Sequence, residues 1–129
     1  MPYPADYKYT KEHEWIKADG TSATIGITSY AQDSLGDIVF VELPQVGSEI
    51  TAGKTFGTVE SVKAVSDLFA PATGTVTEVN GDLATAPERI NKDAHSAWMI
   101  KVTLKNPGEL NGLLSAADYE KFVAAEGGH

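Results

Sequence analysis

Gly57-Thr-Val-Glu-Ser-Val-Lys-Ala-Val-Ser-Asp67 is the stretch on which the fold of this chain turns. Thr55, Phe56, Thr58 and Val59 lie before its centre, and Val65, Leu68 and Phe69 lie after it. β-Branched and aromatic side chains fit a pleated surface, so the two runs read as strands. Between them, Ser61 to Ala64 has room only for a turn. The pattern predicts a β-hairpin over about 55–70 that holds Lys63 at its exposed tip.

A lone lysine says little, because most lysines lie on solvated faces. The frame around this one says more. Upstream stand Val46-Gly47, Ile50 and Ala52-Gly53; downstream stand Ala70-Pro71 and Gly74-Thr75-Val76. Taken singly, these are ordinary turn punctuation. Taken in order around Glu60-Ser61-Val62-Lys63-Ala64, they resemble the lipoyl-domain signature, in which the hairpin lysine carries lipoic acid in amide linkage. Biotin carriers are similar in plan, but their lysine lies between two methionines. Here Val62 and Ala64 are the neighbours, and the only methionines are Met1 and Met99, so the resemblance implies lipoate rather than biotin.

Composition sets the outer limits. A chain of 129 residues is long enough for one domain, 1–129, with a modest core. Hydrophobic residues make up 42% of it without a long apolar run, so no transmembrane helix is expected. Met1-Pro-Tyr-Pro leads into polar residues, unlike a secretory signal or an Arg-rich transit peptide. The expectation is a bacterial cytoplasmic protein, or a mitochondrial matrix protein if the chain is a processed eukaryotic one. There are no cysteines, so disulfides, thiol nucleophiles and thiolate metal sites are excluded, and any redox dithiol must come from a bound group. The net charge of −8 and pI near 4.7 argue against nucleic acid, which needs a basic patch. An acidic surface keeps a protein soluble and also steers it toward basic clefts on partners.

Along the chain, Glu14-Trp-Ile-Lys17 and Ala23-Thr-Ile-Gly-Ile27 flank Asp19-Gly20, a hairpin signal. A short helix over Tyr30 to Leu35 is expected next, capped by Thr28 or Ser29 and stopped by Gly36. Asp37-Ile-Val-Phe-Val-Glu-Leu43 reads as a buried strand ended by Pro44, and Val46 to Gly53 as loop and short strand. After Pro71-Ala-Thr-Gly74 come a strand, Thr75 to Val79, and a tight turn at Asn80-Gly81. Asp82 to His95 reads as irregular. Ala97 to Leu104 is the last strand, stopped by Asn106-Pro107-Gly108, and Leu110 to Leu114 forms a helical turn. Ser115-Ala-Ala-Asp118 resembles a capping box opening a helix over about 115–126 that Gly127-Gly128 ends. The expected fold is mainly β: a lipoyl-domain-like β-sandwich or flattened barrel (barrel-sandwich hybrid) with a short helix in its N-terminal half and a C-terminal helix.

Nearly the whole chain, in order, is similar to the H-protein family of the glycine cleavage system. The matching stretches are His13-Glu-Trp15, Ile25-Gly-Ile-Thr28, Ala31-Gln32, Leu35-Gly-Asp37 and Val39-Phe-Val-Glu-Leu-Pro44. Further matches are Glu60-Ser-Val-Lys63, Glu78-Val-Asn80, Ile90-Asn91 and Trp98-Met-Ile-Lys101. The acyltransferases that share the lipoyl hairpin continue into further domains for which this chain has no room. One segment departs: Asp93-Ala-His-Ser-Ala97 stands where the family usually has Asp-Pro-Tyr and a glycine before the tryptophan, which puts partner recognition there in question.

The resemblance implies a non-catalytic carrier of lipoic acid on Lys63. It would take the aminomethyl group from a pyridoxal-phosphate glycine decarboxylase (P protein) and present it to a tetrahydrofolate-dependent aminomethyltransferase (T protein). A dihydrolipoyl dehydrogenase (L protein) would reoxidise it, and a lipoylating enzyme would attach the group. The family resemblance also implies that the loaded arm folds into a cleft where acids meet its amine; Glu14 and Asp67 are the candidate contacts. The expected partners include neither nucleic acid nor membrane, and the expected state is a monomer. Other readings of the same residues are an H-like relay of lipoyl groups to other complexes, an unmodified β-barrel interaction module, and an independent enzyme. For the last, His13, His95 and His129 are widely spaced with no zinc pattern. A triad of His13, Ser61 and Asp67 lacks a nucleophile elbow at Ser61. Trp15, Phe40 and Trp98 are expected in the core.

Overall fold

The computed structural model describes residues 3–127, with side chains through Ala125; the readings placed on Met1, Gly128 and His129 lie outside the described residues. Nine strands form two antiparallel sheets. The six-stranded sheet runs β1 (Lys8–Tyr9), β2 (Glu14–Asp19), β3 (Ser22–Ile27), β9 (Ile100–Leu104), β8 (Gly74–Val79), β5 (Glu49–Ile50). The three-stranded sheet runs β4 (Ile38–Glu42), β6 (Thr55–Ser61), β7 (Val65–Phe69). The sheets remain two and do not close, so the fold is the sandwich rather than the flattened barrel.

Alternation along the strands explains how the sheets meet. Ile16, Ile25 and Ile27 of the large sheet and Val41, Val59 and Leu68 of the small one are buried in a shared core with Val76, Ile100 and Val102. Complete burial of such side chains stabilises by roughly 1.5–3 kcal/mol each relative to exposure. Residues paired across a ladder share a face, and Glu14 pairs with Ile27 while Ile16 pairs with Ile25. Glu14 thus points into the sandwich with the isoleucines. Trp15 and Gly26 pair on the opposite face, where a Cβ on Gly26 would stand 2.6 Å from the indole ring. That glycine lets Trp15 lie flat, and Tyr9, Trp15 and Tyr119 build a second cluster beneath α4 (Ala116–Gly127). The Ser115 hydroxyl accepts the Asp118 N–H at 3.2 Å, as the capping pattern predicted.

Helix α1 (Ser29–Leu35) has the expected ends: the Thr28 side chain accepts the Ala31 N–H, and Gly36 takes φ 82°. Several other expectations need correction. Asp19 pairs with Ser22, so the hairpin loop is Gly20-Thr21, with a positive φ only at Gly20, the arrangement of a type II′ turn. The segment after Asn80 is not irregular. Gly81 caps α2 (Asp82–Thr85), and α3 (Arg89–Lys92) follows; Leu83 and Ile90, buried and seven residues apart, anchor the two turns to the core. The last strand starts at Ile100 rather than Ala97. The helical turn near Leu110 is a 3₁₀ helix that begins at Pro107, in the middle of the supposed strand stop; the Asn106 side chain caps it by accepting the Gly108 N–H.

Strand β4 is the clearest departure from expectation. Only Ile38 and Val41 are buried, while Val39 and Phe40 face solvent. Phe40 is therefore not a core residue: a register shift between Ile38 and Phe40 turns it outward, and it is 52% exposed. Trp98 is only half-buried and carries the Lys101 ammonium 4.8 Å from its ring centroid. Trp15 alone of the three large aromatics is fully enclosed.

Candidate functional site at the hairpin apex

Strands β6 and β7 pair from Thr55↔Phe69 to Glu60↔Val65, and the chain turns over Ser61 to Ala64. Ser61 makes this turn rigid. Its N–H donates to the Ala64 carbonyl at 2.8 Å, and its hydroxyl accepts the N–H groups of Lys63 and Ala64, each at 3.1 Å. Small hydroxyl side chains favour turns because they can satisfy backbone donors in this way. Ser61 is thus a buried structural staple, not a nucleophile. The sequence places Ser61 in the turn and in the frame of Lys63 without showing that its hydroxyl holds the turn.

The apex also rests on the body of the protein. The Val62 N–H donates to the Asp37 carbonyl at 3.1 Å. On either side of Asp37, Asn91 of α3 donates from Nδ2 to the Gly36 carbonyl and accepts the Ile38 N–H at Oδ1, both at 2.8 Å. Asn91 therefore fixes the segment on which the apex sits, a role the sequence showed only as part of a matching stretch. The stem of Lys63 lies over Gly36: a Cβ there would be 3.4 Å from Lys63 Cε. Glycine is favoured there by the positive φ, and a Cβ would only make ordinary contact with the stem. Lys63 itself is exposed, so its amine is open to chemistry while the base of its side chain is held.

Around the lysine, the outer face of the small sheet has two rows. Phe40, Glu60 and Val65 lie side by side across the three strands, and Glu42, Thr58 and Asp67 form the next row. Val62 and Val65 are 67% and 65% exposed. Exposed apolar side chains and carboxylates thus alternate across the face that surrounds the lysine.

The two candidate acids occupy different settings. Glu14 is only 1% exposed; its Oε1 accepts the Thr10 hydroxyl at 2.6 Å and its Oε2 accepts the Phe69 N–H at 3.2 Å. Burial raises its pKa to about 7, against the lowering effect of those two hydrogen bonds, and nearby Glu12 adds to the rise. Asp67 stands exposed on the solvent face of β7, two residues nearer the apex than Phe69. The structure thus sets both acids along β7, Glu14 at its free edge and Asp67 on its outer face, and they share no hydrogen bond among the described residues. A cleft of about 540 Å³ is lined by Thr10, Lys11, Glu12, Ala70, Pro71 and Glu109 among others. Glu14, Lys63 and Asp67 are not among its lining residues.

Two histidines, His13 and His95, lie among the described residues. His13 Nδ1 lies 2.8 Å from the Tyr119 hydroxyl, and His95 Nε2 accepts the Ser29 N–H at 3.3 Å. Burial lowers the pKa of His95. Among the described residues, no group of three or more His, Asp or Glu side chains is placed to hold a metal, and no helix is long and apolar enough to cross a membrane.

A rigid hairpin that offers one seated, exposed lysine from a β-sandwich defines a carrier module of the lipoyl type. Comparison with known proteins narrows this. Residues 7–126 match the family model described as glycine cleavage H-protein. The chain is 72% identical over 129 residues to the glycine cleavage system H protein of Koribacter versatilis and 63% identical to that of Acidobacterium capsulatum, with 100% of each chain covered. Among solved structures, it is similar to the H protein of Mycobacterium marinum, with a TM-score of 0.85 at 39% identity, covering 97% of this chain and 99% of that one. The chain belongs to the glycine cleavage H-protein family.

Proposed function

We propose that Lys63 carries lipoate in amide linkage and that the chain acts as a lipoyl-carrying shuttle in glycine cleavage, a carrier rather than a catalyst. The observation that carries this reading is the apex itself: Lys63 is exposed at the tip of a turn that the Ser61 hydroxyl pins by accepting the N–H groups of Lys63 and Ala64. Lipoate held on Lys63 would supply a dithiolane on a long arm, the redox-active sulfur needed to carry an aminomethyl group between the glycine decarboxylase and an aminomethyltransferase that releases its nitrogen as ammonia, with dihydrolipoyl dehydrogenase as the oxidant that restores the disulfide. The protein's own residues supply position and shelter. Ser61 and Asn91 fix the base of the arm, and tethering keeps the reactive end at high local concentration near a docked partner. Glu14 offers a buried carboxylate to a cationic amine brought alongside β7, and a charge-assisted hydrogen bond in a water-poor site is strong. Asp67 adds negative charge nearer the apex. The apolar rim of Phe40, Val62 and Val65 is the surface that partner enzymes cover when they reach the arm.

Reconstitution tests this reading. The lipoylated parent, mixed with the three glycine cleavage enzymes, should release carbon dioxide from glycine in proportion to the carrier added. The Lys63→Arg variant should support none. Equal release from parent and variant would remove the carrier role.

A further inference from the structure

We propose that Tyr119, on the C-terminal helix, is a positioning residue whose hydroxyl holds the loop that buries Glu14. The proposal rests on the reading of Glu14 as the contact to the arm's amine, and its test separates the two claims.

The ladder between β2 and β3 ends with Glu14↔Ile27. One step beyond, the Thr28 N–H donates to the His13 carbonyl at 3.0 Å. Tyr119 spans these two residues with a single oxygen, 2.8 Å from His13 Nδ1 and 2.7 Å from Thr28 Oγ1. The tyrosine is fully buried, and its ring stacks on Tyr9 with centroids 4.8 Å apart. It enters this position from a helix 91 residues along the chain from Thr28.

His13 needs such a holder. It has φ 74° and is the non-glycine residue with positive φ among the described residues, a conformation that is strained for an L side chain. That conformation sends the imidazole outward to Tyr30, Tyr119 and Phe122 while the next residue, Glu14, turns into the sandwich. The loop it closes is the one that grips the carboxyl. His13 N–H donates to the Thr10 carbonyl at 3.1 Å, Thr10 N–H to the Glu14 carbonyl at 3.0 Å and Glu14 N–H to Thr10 Oγ1 at 3.0 Å. Thr10 Oγ1 then donates to Glu14 Oε1. If His13 relaxes to negative φ, Thr10 loses its register and the carboxyl loses a donor.

The bridge tolerates either charge state of His13. With neutral imidazole accepting at Nδ1, the Tyr119 hydroxyl donates to it and accepts from Thr28. With imidazolium, it accepts from Nδ1 and donates to Thr28. In both cases Thr28 Oγ1 keeps a lone pair for the Ala31 N–H at 3.2 Å, so α1 stays capped.

The experiment uses the full chain and Tyr119→Phe, which keeps the ring and removes only the hydroxyl. The readout is the Glu14 titration midpoint from side-chain carboxyl NMR of the protein without lipoate, where the charged neighbour that contributes is Glu12. The midpoint should fall from about 7 toward the ordinary carboxylate range, because opening to water removes the larger, raising effect of burial and outweighs the loss of the lowering Thr10 hydrogen bond. His13→Asn, which tolerates positive φ but is too short to reach Tyr119, should give the same fall. Val123→Ala, which trims the packing of α4 on the Tyr9, Trp15 and Tyr119 cluster but removes no atom of the hydroxyl bridge, should leave the midpoint in place; a fall there too would make the effect one of general packing and overturn the proposal. An unchanged midpoint in both Tyr119→Phe and His13→Asn would also overturn it. The rate of ammonia loss from the loaded, lipoylated Tyr119→Phe protein supplies the second readout. If the midpoint falls but ammonia loss does not quicken, Tyr119 still positions Glu14, and it is the Glu14–amine contact that fails.

Discussion

Glu14 Oε2 accepts the backbone N–H of Phe69 at 3.2 Å, so a carboxyl rooted in the six-stranded sheet caps the free edge of the strand that descends from Lys63. One ionisable group thereby joins the two sheets and lines the path from the apex. Its environment is shaped by burial first and by hydrogen bonds second.

The first consequence is a pH-dependent stability. The folded protein raises the Glu14 pKa from 4.5 to about 7, so between those values the native state holds more protons than the unfolded chain. Stability attributable to this group is highest below about pH 4.5 and falls as pH rises toward 7, by up to about 3 kcal/mol. Glu14→Gln cannot ionise and removes that slope. Urea unfolding from pH 4 to 8 should show the variant gaining on the parent as pH rises, and parallel curves would contradict the assignment.

Ser61 yields a second prediction. Ser61→Ala removes the acceptor for the N–H groups of both Lys63 and Ala64. The loss should be about 1 kcal/mol in unfolding free energy, with amide exchange at residues 63 and 64 quickening more than elsewhere. Unchanged exchange at those two amides would show that the turn does not depend on the hydroxyl.

Much of this architecture was legible in the sequence, and the misses share a cause. Local signals were read correctly where one residue type dictates one geometry: the hairpin around Lys63, the Thr28 cap, the Gly36 stop and the Ser115 capping pattern. Phe40 was misread because an apolar run of four residues, Ile38 to Val41, does not reveal a register shift, which depends on the partner strand β6. Asp82 to His95 looked irregular because α2 and α3 are single turns, too short to show a helical period. In the site, Lys63 announced itself through its frame. The roles of Asn91, Thr10 and Tyr119 did not, since each acts on residues far away in sequence or through the backbone.

Phe40 also sets up a third prediction. At 52% exposure its truncation removes little packing, so Phe40→Ala should change unfolding free energy by less than about 0.5 kcal/mol. As an aromatic anchor on the rim around Lys63, it should instead raise the KM of the glycine decarboxylase for the carrier about fivefold or more. A kinetic match to the parent would show that this enzyme approaches Lys63 from another side.

The most direct test of the account is the intact mass of the parent and of Lys63→Ala after expression in cells that lipoylate their own carriers. The account predicts a lipoyl-sized increment on the parent and none on the variant. An unmodified parent, or an increment that survives in Lys63→Ala, would contradict it.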